Sequence, residues 1–182
     1  MASETYRGVA IFENDSLVAP LPSEGSIVTN SLGGWLDHNT FAAGAVSLRN
    51  TPLGNATLKS SMSIGNATGS NPATRATWSG VMVGTDTGTA TPRSSLVRGD
   101  ADITLSNLND PRIDVAFTRI RNVNGGGSRD DMRWNGLRLS FGRFKSGTDG
   151  NSIQGTFYGP NHEEVGGIFE RNRVLGSFGA ER

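Results

Sequence analysis

Between Val97 and Ile120 the chain alternates. In VRGDADITLS, Ala101, Ile103 and Leu105 share one parity, and Asp100, Asp102 and Thr104 share the other. In RIDVAFTRI, Ile113, Val115 and Phe117 oppose Arg112, Asp114 and Thr118. A period of two belongs to strands with one wet face. Turn chemistry separates the runs: NLNDP at Asn107–Pro111, NVNGGGSRDD at Asn122–Asp131, and KSGTDGNS with Asp149-Gly150 at its tip. In MRWNGLRLSFGRF the phase changes at Gly136. Met132 and Trp134 fall on one parity and Leu137, Leu139 and Phe141 on the other, which predicts a β-bulge at the glycine.

The predicted strands are 74–84, 95–105, 112–121, 132–143, 153–158, 167–171 and 174–180. No long amphipathic helix competes with them. A meander of this length must dispose of its edges, and closing into a barrel does so. One more strand, from upstream or from a split of those above, brings the count to eight. A barrel of eight strands is filled by side chains or holds one small ligand. The first seventy residues differ. They are rich in Ser, Asn, Gly and Pro, with short apolar pieces such as YRGVAIF and FAAGAVSL. GNAT occurs at Gly54–Thr57 and again at Gly65–Thr68. These features predict a smaller, loosely sheet-like subdomain with long loops over residues 1–72 and a barrel over 73–182. The boundary is expected within Asn66–Thr74.

Composition narrows the function classes. Lys+Arg and Asp+Glu number 17 each in 182 residues, so net charge gives no general pull toward nucleic acid or anionic membrane. The absence of Cys removes disulfides, thiolate metal sites and cysteine nucleophiles. No apolar stretch is long enough for a membrane-spanning helix. The start MASETYRG lacks the pattern of a signal peptide.

Candidate chemistry centres on GTFYGPNHEEVGGIFE, Gly155–Glu170. Pro160 suits the first position of a helix, Glu163 and Glu164 offset the helix dipole, and Gly166 and Gly167 stop the turn. The expectation is one helical turn capping a barrel end. HEEVG lacks the second His of the zinc-protease motif, since Gly166 stands there. No catalytic set and no metal motif can be assembled. His38 and His162 are the two histidines, and together they are the candidate ligands for a haem iron; the competing expectation leaves both at the surface with no cofactor. The RGD at Arg98–Asp100 falls inside a predicted strand rather than at a loop tip. Trp78, Trp134, Phe141, Phe157, Phe169 and Phe178 sit at strand spacing and are expected in the core. Trp35, in a Gly-rich stretch, is the candidate exposed contact.

The same residues carry a resemblance. GTFYGPNHEEVGGIFE followed by GSFGAER resembles the C-terminal signature of the β-barrels of transferrin-binding protein B and related surface lipoproteins of Gram-negative bacteria. Gly155, Phe157, Tyr158, Gly159, Pro160, Glu164, Gly167, Phe169, Phe178, Gly179, Ala180 and Arg182 match it. The likeness spans about Thr77 to Arg182. It implies an eight-stranded barrel beside an open handle, a binding role without catalysis, and export to the cell surface or the exterior. It implies a structural role for the matching residues and assigns no binding loop. The missing Cys departs from the lipoprotein pattern, so an anchor would lie on a removed leader, or the protein is secreted.

Three functions are therefore in play. The first is a non-enzymatic binding protein that recognises a protein or ligand through barrel and handle loops, with iron or haem acquisition as its setting. Its candidate loops are Gly84–Ser95, Asn122–Asp131 and Lys145–Ser152, with the region around Trp35. The second is a small-molecule or haem carrier with the ligand in the barrel or between subdomains. The third is a structural or adhesive module of a larger surface protein.

Overall fold

A computed structural model describes residues 2–21, 25–52, 54–88 and 95–182. They form thirteen strands: β1 (Ala2–Tyr6), β2 (Val9–Pro20), β3 (Ser26–Trp35), β4 (Asn39–Arg49), β5 (Ala56–Gly65), β6 (Ala76–Asp86), β7 (Leu96–Asn107), β8 (Arg112–Asn122), β9 (Met132–Arg138), β10 (Arg143–Thr148), β11 (Asn151–Tyr158), β12 (Glu164–Arg171) and β13 (Val174–Glu181). Every pairing is antiparallel. β1 to β5 form one sheet in sequence order. β6 to β13 form an eight-stranded sheet in the order β10-β11-β12-β13-β6-β7-β8-β9.

The eight-stranded sheet rolls nearly into a barrel. Its first and last strands in sequence, β6 and β13, ladder together from Ser79↔Glu181 to Asp86↔Val174. The seam lies between sequence neighbours β9 and β10, which are joined by a turn whose Ser140 bridges Arg143 at the start of β10. At the seam Arg171 donates to the carbonyl of Arg133, and its guanidinium lies 4.9 Å over the Trp134 ring.

Alternation decides what fills the barrel. Trp78, Met82, Ala101, Ile103, Phe117, Trp134, Phe157, Phe169 and Phe178 point inward and form one buried cluster. Phe117 is its hub, with ring centroids 4.7 Å from Phe169, 5.3 Å from Phe178 and 5.5 Å from Trp134. The interior is packed with side chains, as aromatic edge-to-face and tilted pairs favour.

The opposite parity of β6 and β7 faces the N-terminal sheet. Val81, Val83 and Leu96 pack against Val9, Ile11, Leu32 and Phe41 in a second buried cluster. Two glycines allow this approach. A Cβ at Gly179 would lie 2.3 Å from the Phe41 ring, and one at Gly166 would lie 2.0 Å from Asn39 Nδ2. The N-terminal sheet therefore rests on the barrel wall through β4, over β12 and β13.

Four expectations change. The run 132–143 is two strands, split by a turn at 139–142 where Phe141 takes φ +51° and is 77 % exposed. This split supplies the eighth barrel strand and takes Phe141 out of the core. Residues 160–163 are not a helical turn. His162 N donates to Gly159 O at 3.2 Å, closing a four-residue turn with His162 at φ +60°, and β12 starts at Glu164 rather than 167. Lys145–Ser152 is not a loop: β10 and β11 pair as far as Thr148↔Asn151, leaving a two-residue tip. The first seventy residues are not loose, since β2 to β5 each run ten to twelve residues.

The bulge at Gly136 is present. Ile113 pairs Leu137 and Val115 pairs Trp134, so Asn135 and Gly136 face one residue, Asp114. Gly136 has φ +65°, and its N–H donates to the Asp114 carboxylate at 2.7 Å.

Candidate functional site

The Gly155–Glu170 stretch builds the closed end of the barrel. Trp78 Nε1 donates to His162 O at 2.7 Å, tying the turn to the core. The segment leading into β6 runs beside it. Thr68 N donates to Phe157 O at 2.9 Å, and Thr68 Oγ1 donates to Gly159 O at 2.7 Å. Gly142 N donates to Asn71 Oδ1 at 2.8 Å, which ties the 139–142 turn to the same segment.

Both histidines flank this turn. His162 Nε2 lies 2.9 Å from the Ser70 carbonyl oxygen, so that nitrogen carries the proton and donates. The His38 ring packs against Gly159, where a Cβ would meet His38 Cδ2 at 2.7 Å. Among the described residues no group of three His, Cys, Asp or Glu side chains is placed to hold a metal.

The two adjacent glutamates diverge. Glu163 accepts from the backbone N–H of Asn161 at 2.9 Å and from its side-chain amide at 2.7 Å. Partial desolvation pushes its carboxyl up, but these hydrogen bonds outweigh it and hold the group below the usual range. Glu164 is buried beneath the β3–β4 turn and accepts the His38 N–H through both oxygens, at 2.9 and 3.1 Å. Burial raises its carboxyl above the usual value, with the His38 N–H opposing. Such a divergent pair does not converge on one substrate.

Trp35 ends β3 on the side of the N-terminal sheet away from the barrel. It is 45 % exposed and stacks on Phe12 at 5.8 Å. Its neighbours there follow from the register. Residues 10, 12 and 14 of β2, the odd positions 27–35 of β3, the even positions 40–48 of β4 and the even positions 56–64 of β5 share that face. None of these positions carries a charged residue. Val46, Leu48, Leu58, Met62 and Ile64 are exposed on it. The opposite parity turns to the barrel, as Lys59 donating to the carbonyl of Asp86 and Ser63 donating to Asn39 Oδ1 at 3.1 Å demonstrate.

The three candidate loops come together. Splitting 132–143 adds one reversal of direction, so the 86–95, 122–131 and 148–151 connections all emerge at one end of the barrel. Of the first, residues 89–94 lie outside the described residues. Asp86 organises this end. Its carboxylate accepts from Arg129 at 2.7 Å and lies 3.7 Å from Arg173. Burial lowers the Lys59 ammonium beside it, with Asp86 opposing. Trp35 and His38 lie at the other end, on the side of Glu164.

Sequence reasoning missed a second polar contact between the sheets. Asp100, in the RGD, is fully buried on the outer face of β7. It accepts from Tyr6 Oη at 2.7 Å, pairs with Arg7 at 3.2 Å and pairs with Arg119. Arg7 also reaches Asp102 at 2.9 Å. This acid is committed to holding the β1–β2 hairpin and is unavailable for adhesion. The one sequence signal was a carboxylate on the polar parity of a strand otherwise expected to be wet.

The fold and site define an eight-stranded antiparallel barrel with a packed interior, flanked by a five-stranded sheet whose outer face carries no charge among the positions named above. Residues 114–182 match the family model described as the C-lobe and N-lobe beta barrels of Tf-binding protein B. The match runs from β8 through β13 and includes the whole Gly155–Glu170 corner. A comparison with curated proteins found no significant match.

Proposed function

We propose that the protein is a non-enzymatic binding protein, exported to the outer-membrane surface of a Gram-negative cell or secreted from it. In this reading residues 1–72 are a handle, residues 73–182 are the barrel domain, and a partner protein is captured from outside the barrel. The observation that carries the reading is the uncharged, apolar outer face of the N-terminal sheet around Trp35 and Leu58. Water-facing sheets of monomeric proteins rarely leave so much apolar surface open, and such patches mark interaction sites. The packed barrel supports the same reading, because it leaves recognition to external surfaces.

The barrel-family description makes transferrin the first partner to test, with iron acquisition as the setting. Immobilised iron-loaded transferrin is expected to bind the purified protein. Trp35→Arg and Leu58→Arg are expected to abolish that binding without lowering Tm, since both side chains are exposed. Binding that survives both substitutions overturns the role of this face. No binding of transferrin in either iron state overturns the iron-acquisition version.

The carrier reading survives in one form, with the ligand between the two sheets. For haem it requires His38 or His162. Unchanged haem affinity in a His38→Ala/His162→Ala variant would remove it.

A further inference from the structure

A groove of about 820 Å³ lies on the outside of the barrel, at the flank of the N-terminal sheet. Its floor is the outer face of β10 to β12. Register sets Arg143 beside Thr156 and then Gly166, and Lys145 beside Gln154 and then Ile168. Ser61, Met62 and Ser63 of β5 form one wall, and Arg138 and Ser140 close an end.

Charge gives the groove its character. Arg138, Arg143 and Lys145 line it, and no Asp or Glu does. Seven other arginines, Arg7, Arg98, Arg112, Arg119, Arg129, Arg133 and Arg173, form ion pairs with carboxylates. Arg138, Arg143 and Lys145 have no carboxylate partner among the described residues. In a chain with as many acids as bases, three unspent cations around one concavity create a local positive field that favours an anion.

A buried donor lies behind the groove floor. Asn39 is 2 % exposed, and its Nδ2 has no hydrogen-bond partner among the described residues. It lies behind Gly166, which lines the groove, while its Oδ1 is taken by Ser63. Met62 and Ile168 give the groove an apolar portion between these polar ends.

We propose that this groove binds a small amphipathic anion, with a carboxylate or phosphate head among the cations and an apolar body along Met62 and Ile168. The volume falls within the range of small-molecule sites, roughly 300–1,000 Å³. Thr156 and Ser140 supply hydroxyls for the head, and the bare backbone at Gly166 keeps the inner end open.

Isothermal titration of the purified full chain with octyl phosphate, octanoate and inorganic phosphate tests this. Saturable one-to-one binding of at least one octyl probe is expected, with inorganic phosphate weaker. The stronger of the two octyl probes identifies the head group. Arg143→Ser/Lys145→Ser should weaken binding by about tenfold or more at unchanged Tm, because charge-assisted contacts are lost. Thr156→Trp, which obstructs the floor and keeps the charges, should abolish it. No saturable binding of either octyl probe overturns the proposal, as does binding unaffected by both variants. Loss of probe binding in Leu58→Arg alone would also overturn it, by moving the site to the outer face of the sheet. The transferrin assay reads that other face, so either proposal can fail without the other.

Discussion

The carboxylate of Glu164 and the backbone N–H of His38 meet across 126 residues of sequence, with both oxygens within 3.1 Å of the nitrogen. This contact fastens the β3–β4 turn to the start of β12. It also gives the fold a pH dependence with a definite sign. Burial raises the Glu164 carboxyl above its ordinary value of 4.5, so the folded state holds the proton more tightly than the unfolded chain. The Glu164 contribution to stability therefore falls as pH rises from about 4.5 through the raised value, and stays constant above it. Glu164→Gln removes the titration and keeps an oxygen for the His38 N–H. Urea denaturation of both proteins across this window should show the variant gaining on the wild type as pH rises. A gain in the opposite direction would contradict the assignment.

Asp100→Ala should destabilise the protein by about 2–4 kcal/mol, since it strands Arg7 and Tyr6 against a buried wall. The same substitution at Asp110, whose pair with Arg112 is exposed, should cost less than about 0.5 kcal/mol. Hydrogen exchange should report the Asp100 loss first in the β1–β2 hairpin. Uniform loosening of the barrel with an intact hairpin would show that the cluster serves β7 instead.

Phe117→Ala removes the ring that touches Trp134, Phe169 and Phe178. A loss of about 3–5 kcal/mol is expected. The variant should also acquire a cavity that takes up a small aromatic such as benzene, raising its Tm in a concentration-dependent way. A loss below about 1 kcal/mol would mean that the barrel interior is not packed around this ring.

Gly179→Ala places a methyl 2.3 Å from the Phe41 ring. The barrel strand can keep its ladder, but the N-terminal sheet has to lift. A cost of about 1–3 kcal/mol is expected, with faster exchange in β4 and little change in β8. Equal exchange in the two strands would place the strain inside the barrel.

The barrel strands clear of the N-terminal sheet were readable because each has one face in the core and one in water. Ile113, Val115 and Phe117 against Arg112 and Asp114 leave no ambiguity of period, and Gly136 announced its own bulge. The turn inside 132–143 was hidden because Leu139 and Phe141 continue the alternation through the reversal, and Phe141 is an apolar residue at an exposed tip. Pro160 and the two glutamates imitate a helix start, yet His162 takes a left-handed conformation and the Asn161 hydrogen bonds to Glu163 close the turn locally. The N-terminal strands were nearly invisible because their outer face carries Ala, Gly, Ser, Thr and apolar residues rather than charges, so polarity does not alternate. The groove cations and the Tyr6–Asp100 contact depend on partners 94 residues apart or on strands joined only by folding. Residue spacing along the chain holds no record of them.

The position of β13 bears on when the barrel can form. It is the thirteenth strand in sequence, yet it sits in the middle of the eight-stranded sheet, paired with β12 on one side and β6 on the other. Without Val174–Glu181 no strand ladder among the described residues joins the β6–β9 half to the β10–β12 half, which then meet only through the 139–142 turn and side-chain contacts such as Arg171 with Arg133 and Trp134. Closure is thus a late, long-range event, and long-range pairing of this kind is slow. A chain in which Val174–Glu181 has not yet paired would leave the barrel wall open along both β6 and β12.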